Sequence, residues 1–457
     1  MASFGKEWHP YISFELPSQA QTGRIQVLNN AAKFCLIMIS IFVFSERVFA
    51  GGFMIPHQTG RGLGLSNAMT AGVNDASAVF YNPSALGEVQ GNNLLVSGTY
   101  VGLISSVENS GRRAVNKHDD NFLATLFANY HIPNTNFTFG IGAYSPFGLA
   151  TTYESDFTRF AAERTELKTL YITPAAAWHP SKYFSIGAGA SFVHASGLFS
   201  RGLCLDPVTS CTAPIGLEGR LRLTDTANAF AYNIGALIKP IDTVKVGFSY
   251  RSRVDLRFDD ADVKLRGSFS TTNTKADIRP IPLPPVVNTG VFWQVRPNWG
   301  AELVYEYTRW SEFENFNATF SPSPTFLPLG FPLSGFSFPE DWKNTSTLRF
   351  GSYYVMNKNW ELRGGLAVEE SPIPSHTLNP AIPGADLLTL NAGVGYKWEK
   401  LSVDLGYMAV FYKNRRVTNN ELEGLPATSP LGFAGAPGKD KYETFNNFVT
   451  VSLGYRF

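Results

Sequence analysis

From residue 92 onward, apolar and polar positions alternate one by one. Val449, Val451, Leu453, Tyr455 and Phe457 interleave with Thr450, Ser452, Gly454 and Arg456. Leu401, Val403, Leu405, Tyr407 and Ala409 are set against Ser402, Asp404, Gly406 and Met408. Leu388, Leu390, Ala392, Val394, Tyr396 and Trp398 oppose Thr389, Asn391, Gly393, Gly395 and Lys397. Phe184 to Phe192 and Val244 to Arg251 repeat the pattern. A period of two places each set on its own face of a β-strand. A soluble sandwich and a membrane barrel both alternate, so the chemistry of the faces decides between them. Aromatics such as Trp398, Tyr455 and Tyr250 gather at strand ends, as a lipid-facing band requires. Asp404, Lys397 and Arg456 fall on the opposite face, where a dry core would make them costly. The pattern predicts an all-β, antiparallel transmembrane barrel over residues 92–457.

The connections alternate in length. Short ones are read at 131–136, 179–183, 240–242, 297–299, 357–359 and 399–400. Long ones are read at 105–120, 146–165, 199–219, 259–284, 313–343, 370–386 and 414–443. Six short turns and seven long loops make fourteen strands, the even number that bacterial barrels have, with the long loops outside. The chain ends in Tyr455-Arg456-Phe457, a terminal aromatic of the kind the barrel-assembly machinery reads.

Residues 51–91 break the pattern. They are rich in Gly and Ala, with short helices expected over Leu63–Val73. A fourteen-stranded ring has a wider lumen than one its own side chains can fill. The segment is either a compact hatch inside that lumen or a flexible periplasmic leader, and composition alone leaves both open. Upstream, the apolar run Phe34–Phe44 is interrupted only by Ser40, preceded by Lys33 and followed by Val48-Phe49-Ala50. It is far shorter than the ~20 residues a membrane helix needs. Residues 1–50 therefore read as a secretory signal with an extended leader, cleaved after Ala50.

Composition agrees. Charged residues are 16% of the 457, and 38 Lys+Arg nearly cancel 37 Asp+Glu, so nothing points to nucleic acid. The 36 Phe and 19 Tyr suit many short lipid-facing strands. Of the three cysteines, Cys204 and Cys211 share one loop. In an oxidising compartment they pair as a disulfide, the alternative being two free thiols. No metal-ligand grouping and no cofactor motif accompanies them.

Several short motifs then fall in a telling order. They are Ala50-Gly51-Gly52-Phe53, Gly62-Leu63-Gly64, Asn82-Pro83-Ser84-Ala85-Leu86 and Phe147-Gly148-Leu149-Ala150-Thr151. Asp341-Trp342-Lys343-Asn344, Ser371-Pro372-Ile373-Pro374 and Ile382-Pro383-Gly384-Ala385-Asp386 follow. Together these resemble the FadL-type outer-membrane transporters of long-chain fatty acids and other hydrophobic compounds, across nearly all of residues 50–457. Ser84 stands where the family's Asn-Pro-Ala motif has Ala, and Leu387 where Arg usually follows.

The resemblance implies a fourteen-stranded barrel with an N-terminal hatch, in the outer membrane of a Gram-negative bacterium, as a monomer among lipid and lipopolysaccharide. It implies that outer loops capture the substrate and an inner pocket receives it. Hatch movement then opens a sideways exit near a kinked third strand. Phe53 would reach the pocket, and Asn82, Pro83 and Ser84 would hold the hatch; taken alone, these last residues read as an ordinary turn. Pro146 and Gly148 would mark the kink, since Pro donates nothing to a ladder and Gly weakens it, unless the strand simply ends there.

Two further readings follow, the first from the residues and the second, on the carboxylate's partner, from alignment with the family. The loop at 313–343 carries Phe316, Phe320, Phe326, Phe331, Phe336 and Phe338, too apolar to lie bare, so it reads as a capture surface, the alternative being that it packs on other loops. A fatty-acid carboxylate calls for a cation, and Arg201 is the first candidate, ahead of Arg159 and Lys343. Each also reads as a solvated loop charge. Apolar Phe338 falls where the family has another basic contact, which leaves a neutral aromatic or hydrocarbon substrate open. No nucleophile elbow, phosphate loop or zinc-protease motif is present. His194 and Ser196 share a strand face, read as inward, and are not expected to be catalytic. A diffusion porin and a surface adhesin or receptor barrel are the competing readings.

Overall fold

The computed structural model describes residues 52–109, 111–117, 121–155, 158–204, 218–328, 330–418 and 440–457. The expected signal, Cys211 and the side chains of Cys204 and Phe331 lie outside them, and with them the expected disulfide.

Fourteen strands form the wall. They are β1 (Asn93–Asn109), β2 (Asn121–His131), β3 (Phe137–Tyr144, resuming over Gly148–Thr152) and β4 (Arg164–Ser181). Next come β5 (Phe184–Cys204), β6 (Glu218–Ile241), β7 (Val244–Arg251, resuming over Val254–Arg266) and β8 (Asn273–Leu283, resuming over Val286–Arg296). The ring continues through β9 (Trp299–Thr308), β10 (Thr345–Val355), β11 (Trp360–Glu369), β12 (Leu387–Trp398), β13 (Leu401–Tyr412) and β14 (Lys441–Arg456). Each strand pairs antiparallel with the next. The ring closes where β14 meets β1 in one unbroken register, from Asn93↔Arg456 to Glu108↔Lys441. Closure leaves no edge for lipid to strand unpaired. The six short turns fall where the alternation puts them.

The faces are those of a membrane barrel. Outward Phe122, Phe230 and Leu453 are 72%, 81% and 58% exposed, while inward Thr450, Ser452 and Thr389 are buried. His194 and Ser196 correct the sequence reading. On β5 the inward positions are odd-numbered, so these two share the outer face with Phe192.

Beyond the membrane belt the alternation inverts. On β7, Val254, Leu256, Phe258, Ala261, Val263 and Leu265 point inward and are buried, whereas Asp255, Arg257, Asp259 and Lys264 are exposed. On the 24-residue β6, Leu221 and Leu223 are buried and Arg220 is exposed, although Phe230 and Tyr232 lower down face out. The physical reason is the change of solvent. Where lipid surrounds the wall, apolar residues face out; where water does, they turn in. This corrects two expected loops. Most of 259–284 is strand, and β5 and β6 run into 199–219 from either side.

Residues 52–90 lie within the ring. Helix Gly60–Gly64, helix Ala78–Tyr81 and the 3-10 turn Pro83–Glu88 are its only regular pieces among the described residues, and most of its side chains are buried. The first helix starts three residues before the expected Leu63, and residues 65–73 are turn, bend and irregular backbone. An irregular backbone needs hydrogen-bond partners, and the polar inner face supplies them. Ser452 Oγ accepts from Gly60 N at 2.7 Å. Asn391 Nδ2 donates to Leu63 O at 2.7 Å and Asn233 Nδ2 to Val79 O at 2.9 Å. Glu302 accepts from Ala71 N at 2.6 Å and Gly72 N at 2.8 Å. Inward glycines give the segment room. A Cβ on Gly406 would meet Gly60 O at 2.5 Å, and one on Gly187 would meet Ser84 N at 2.5 Å.

Candidate functional site

Asn82 organises the middle of the inner segment. Its Nδ2 donates to Thr70 O at 2.7 Å, and its Oδ1 accepts from Ser84 N at 3.1 Å and Ser84 Oγ at 2.7 Å. Pro83 occupies the first helical position, where a missing N–H costs nothing. Ser84, in place of Ala, thus adds a hydroxyl bond. Its carbonyl accepts from Ser185 Oγ at 2.7 Å, tying the turn to β5.

β3 breaks at Ser145-Pro146-Phe147 and then resumes, so the proline marks an interruption within the strand and not its end. Pairing between β2 and β3 covers only Leu126↔Ala143 to His131↔Thr138. Upward of Leu126, β2 has no β3 partner among the described residues, which leaves a gap in the wall. The N-terminal segment spans it. Ile55 N donates to Pro146 O at 2.7 Å, Gly148 N donates to Phe53 O at 3.0 Å, and Met54 bridges Phe147 antiparallel. Gln58 holds both sides: Thr125 Oγ1 of β2 donates to its carbonyl at 2.7 Å, and its Nε2 donates to Ser145 O at 3.1 Å.

Phe53 forms the link between this gap and an apolar cavity. Its ring packs on Trp310 at 4.8 Å and Trp342 at 5.6 Å, and on Phe147 and Phe313, each at 6.3 Å between centroids. The cavity encloses about 870 Å³ of empty space, solvent at its mouth included. Its wall is the inverted part of the barrel, with Leu167, Phe199, Leu223, Phe258 and Ile278, and its cover is the β9–β10 loop, with Phe313, Phe316 and Phe338. That loop folds into a hairpin, Asn315–Ser321 against Gly335–Pro339, and adds to β8 through Lys275↔Ser321. An apolar chamber with few polar groups is the usual form of a small-molecule site.

The candidate residues fall into groups. Phe53, Phe316 and Phe338 line the cavity. Phe320 and Phe336 stand behind them in one aromatic stack, with Phe336 5.0 Å from Phe338 and 6.0 Å from Phe320. Phe326 is fully buried further out, 5.6 Å from Phe269, away from the cavity. Phe331 pairs with Phe326 through the backbone. Arg201 is no solvated loop charge. It is buried on β5, its guanidinium 5.1 Å from the Phe338 ring, and burial pulls its pKa down to about 9. It is behind the cavity wall and not among the lining residues. Arg159 pairs with Glu218 at 2.6 Å, and Lys343 is exposed.

The charged groups that do line the cavity are Glu166, Asp225 and Glu340. Glu340 is buried, accepts from Trp342 Nε1 at 2.9 Å, and has its pKa pushed up to about 8 by desolvation. Phe199, Phe258 and Trp310 were not singled out from the sequence, whereas Trp342 belongs to one of the family motifs and Phe313 opens the apolar loop. The signal for the first two was present, since they continue an apolar alternation on strands flanked by charge.

Residues 41–457 match the family model described as "Outer membrane protein transport protein (OMPP1/FadL/TodX)". The chain is 24% identical over 429 residues to a long-chain fatty acid transport protein of Escherichia coli O6:H1, covering 86% of this chain and 94% of that one. It is 24% identical over 419 residues to outer membrane protein P1 of Haemophilus influenzae, covering 82% and 88%. Among solved structures, a Pseudomonas aeruginosa FadL homologue superposes with a TM-score of 0.76 at 20% identity, over 89% of this chain and 100% of that one. The Pseudomonas putida toluene transporter TodX gives 0.70 at 15% identity, over 89% and 99%.

Proposed function

The chain belongs to the outer membrane protein transport protein family (OMPP1/FadL/TodX), and from this premise we propose that it carries hydrophobic molecules inward across the outer membrane by a sideways route. The relatives' names give two substrate kinds, long-chain fatty acids and toluene, and both have apolar bodies of the kind this apolar lining suits. One observation supports the route above all. Residues 53–58 floor the cavity through Phe53 and also fill the gap between β2 and β3. A molecule entering under the Phe316 and Phe338 hairpin displaces Phe53, and the backbone bonds on Pro146 and Gly148 release with it. The gap then opens toward lipid, and an apolar molecule leaves into the membrane without passing through water.

The Met54–Phe147 bridge supplies the test. Antiparallel bridge partners have Cα atoms about 4.5–5.5 Å apart, within the span of a disulfide. In a host lacking its own fatty acid transporter, the chain restores uptake of labelled oleate or toluene. The Met54→Cys, Phe147→Cys double variant loses uptake when oxidised and regains it with reductant. Uptake that is indifferent to this lock refutes the route.

A further inference from the structure

The inner face of the inverted wall is mostly apolar, and Asp225 is an exception on β6. Leu221, Leu223, Ala227 and Ala231 are its buried inward residues, and Asp225 stands among them. Its cross-strand partner on β5 is Gly197, and both residues line the cavity. Asp225 Oδ1 accepts from Thr226 N at 2.7 Å. Asp225 Oδ2 is buried and finds no hydrogen-bond partner among the described residues. The same is true of Thr165 Oγ1, which lines the same cavity from β4. A buried acceptor left unmade costs more than most single contacts return, so two in one apolar chamber point to a ligand that satisfies them.

The neighbouring charges narrow the ligand. No lysine or arginine is among the described residues lining the cavity. Lys275 is engaged by Asp262 at 2.7 Å and the Asp260 carbonyl at 3.1 Å. Glu166 is held by Arg164 and Lys168, and Glu340 by Trp342. A carboxylate entering here meets acids and no cation, whereas a group with an O–H or N–H meets two acceptors. We infer that the cavity selects hydrophobic molecules whose polar end donates a hydrogen bond, an alcohol, phenol or amine, to Asp225 and Thr165. This rests on the cavity being where the transported molecule is held.

Displacement of a fluorescent hydrophobic dye from the purified full chain tests it, using 1-decanol, decylamine, decanoate and decane. The expected result is that decanol or decylamine displaces dye at a concentration at least tenfold below that of decane and of decanoate. Preference for decanol over decylamine assigns a neutral donor, and the reverse a cationic one. Thr165→Val, which keeps the side-chain shape, is expected to shrink the ratio of donor probe to decane at least threefold, and Asp225→Ala to shrink it further. Equal binding of all four probes, or tightest binding of decanoate, overturns the inference and leaves the cavity reading standing. Failure of all four to displace dye overturns both.

Discussion

Glu302 carries the sharpest prediction about the seal. Its carboxyl is 4% exposed on β9 and accepts from two consecutive backbone N–H groups of the inner segment, Ala71 at 2.6 Å and Gly72 at 2.8 Å. Glu302→Ala leaves both donors facing an apolar gap beside Phe292, whose ring contacts the space next to Gly72. Each buried donor left unmade costs about 1–3 kcal/mol, so the seat of the segment weakens by roughly 2–6 kcal/mol. Water entering the vacated space restores part of this, which puts the expectation at the lower end. Since about 1.4 kcal/mol is tenfold in an equilibrium constant, about 2 kcal/mol multiplies the unseated population roughly thirtyfold. Single-channel recording in planar bilayers reads that population directly. The parent should pass rare, brief openings, and Glu302→Ala openings more frequent by an order of magnitude or more. Faster proteolysis within residues 66–76 should accompany them. Glu302→Gln, which keeps one acceptor, should fall between. If Glu302→Ala runs as a folded, heat-modifiable barrel in electrophoresis and its conductance matches the parent, the seating argument is wrong.

Other outcomes follow from the same contacts. Gly187→Val places side-chain atoms against the Pro83 and Ser84 backbone, which cannot swing aside; overpacking of about 1–3 kcal/mol should displace the 83–88 turn and raise conductance without lowering the barrel's melting temperature. Phe53→Ala removes the ring shared by Trp310 and Trp342, at a local cost of about 3–5 kcal/mol, and should weaken dye binding in the cavity at least tenfold. Glu340 favours its acid form in the fold. Its contribution is therefore full below its ordinary 4.5 and is lost as pH rises through about 8. Tryptophan emission should accordingly shift with a midpoint near pH 8 as the acceptor of the Trp342 indole N–H becomes charged, and Glu340→Gln should remove that shift.

Much of this molecule was legible in its residues because one rule governs most of it. The lipid belt rewards a fixed parity, so Val449 to Phe457 and Leu401 to Ala409 revealed their faces without tertiary information. The short turns were legible for the same reason: parity stops where strands stop. The rule fails above the belt. Val254 to Arg266 alternates on either side of a bulge at Asp259-Asp260, but Asp255, Arg257, Asp259 and Lys264 make it resemble a solvated loop, and only the surrounding solvent tells which face is outside. The cavity inherited that blindness. Phe316 and Phe338 stood out in a loop crowded with aromatics, whereas Phe258 and Phe199 were concealed in the misread strands. Arg201 was chosen for its charge, and its burial behind Phe338 depends on a loop more than a hundred residues away. Glycines at 187, 247 and 406 fall on the small inward face, and their role there is to let a second backbone approach.

The meeting of β14 with β1 has a consequence for biogenesis. The segment that ends up in the middle is translated before any of the wall, and the seam that encloses it is the last to form. The segment bonds to strands from β2 around to β14. The stopper must already be coiled at the centre when the final staves are drawn together, and a chain that zips too early becomes an empty cask.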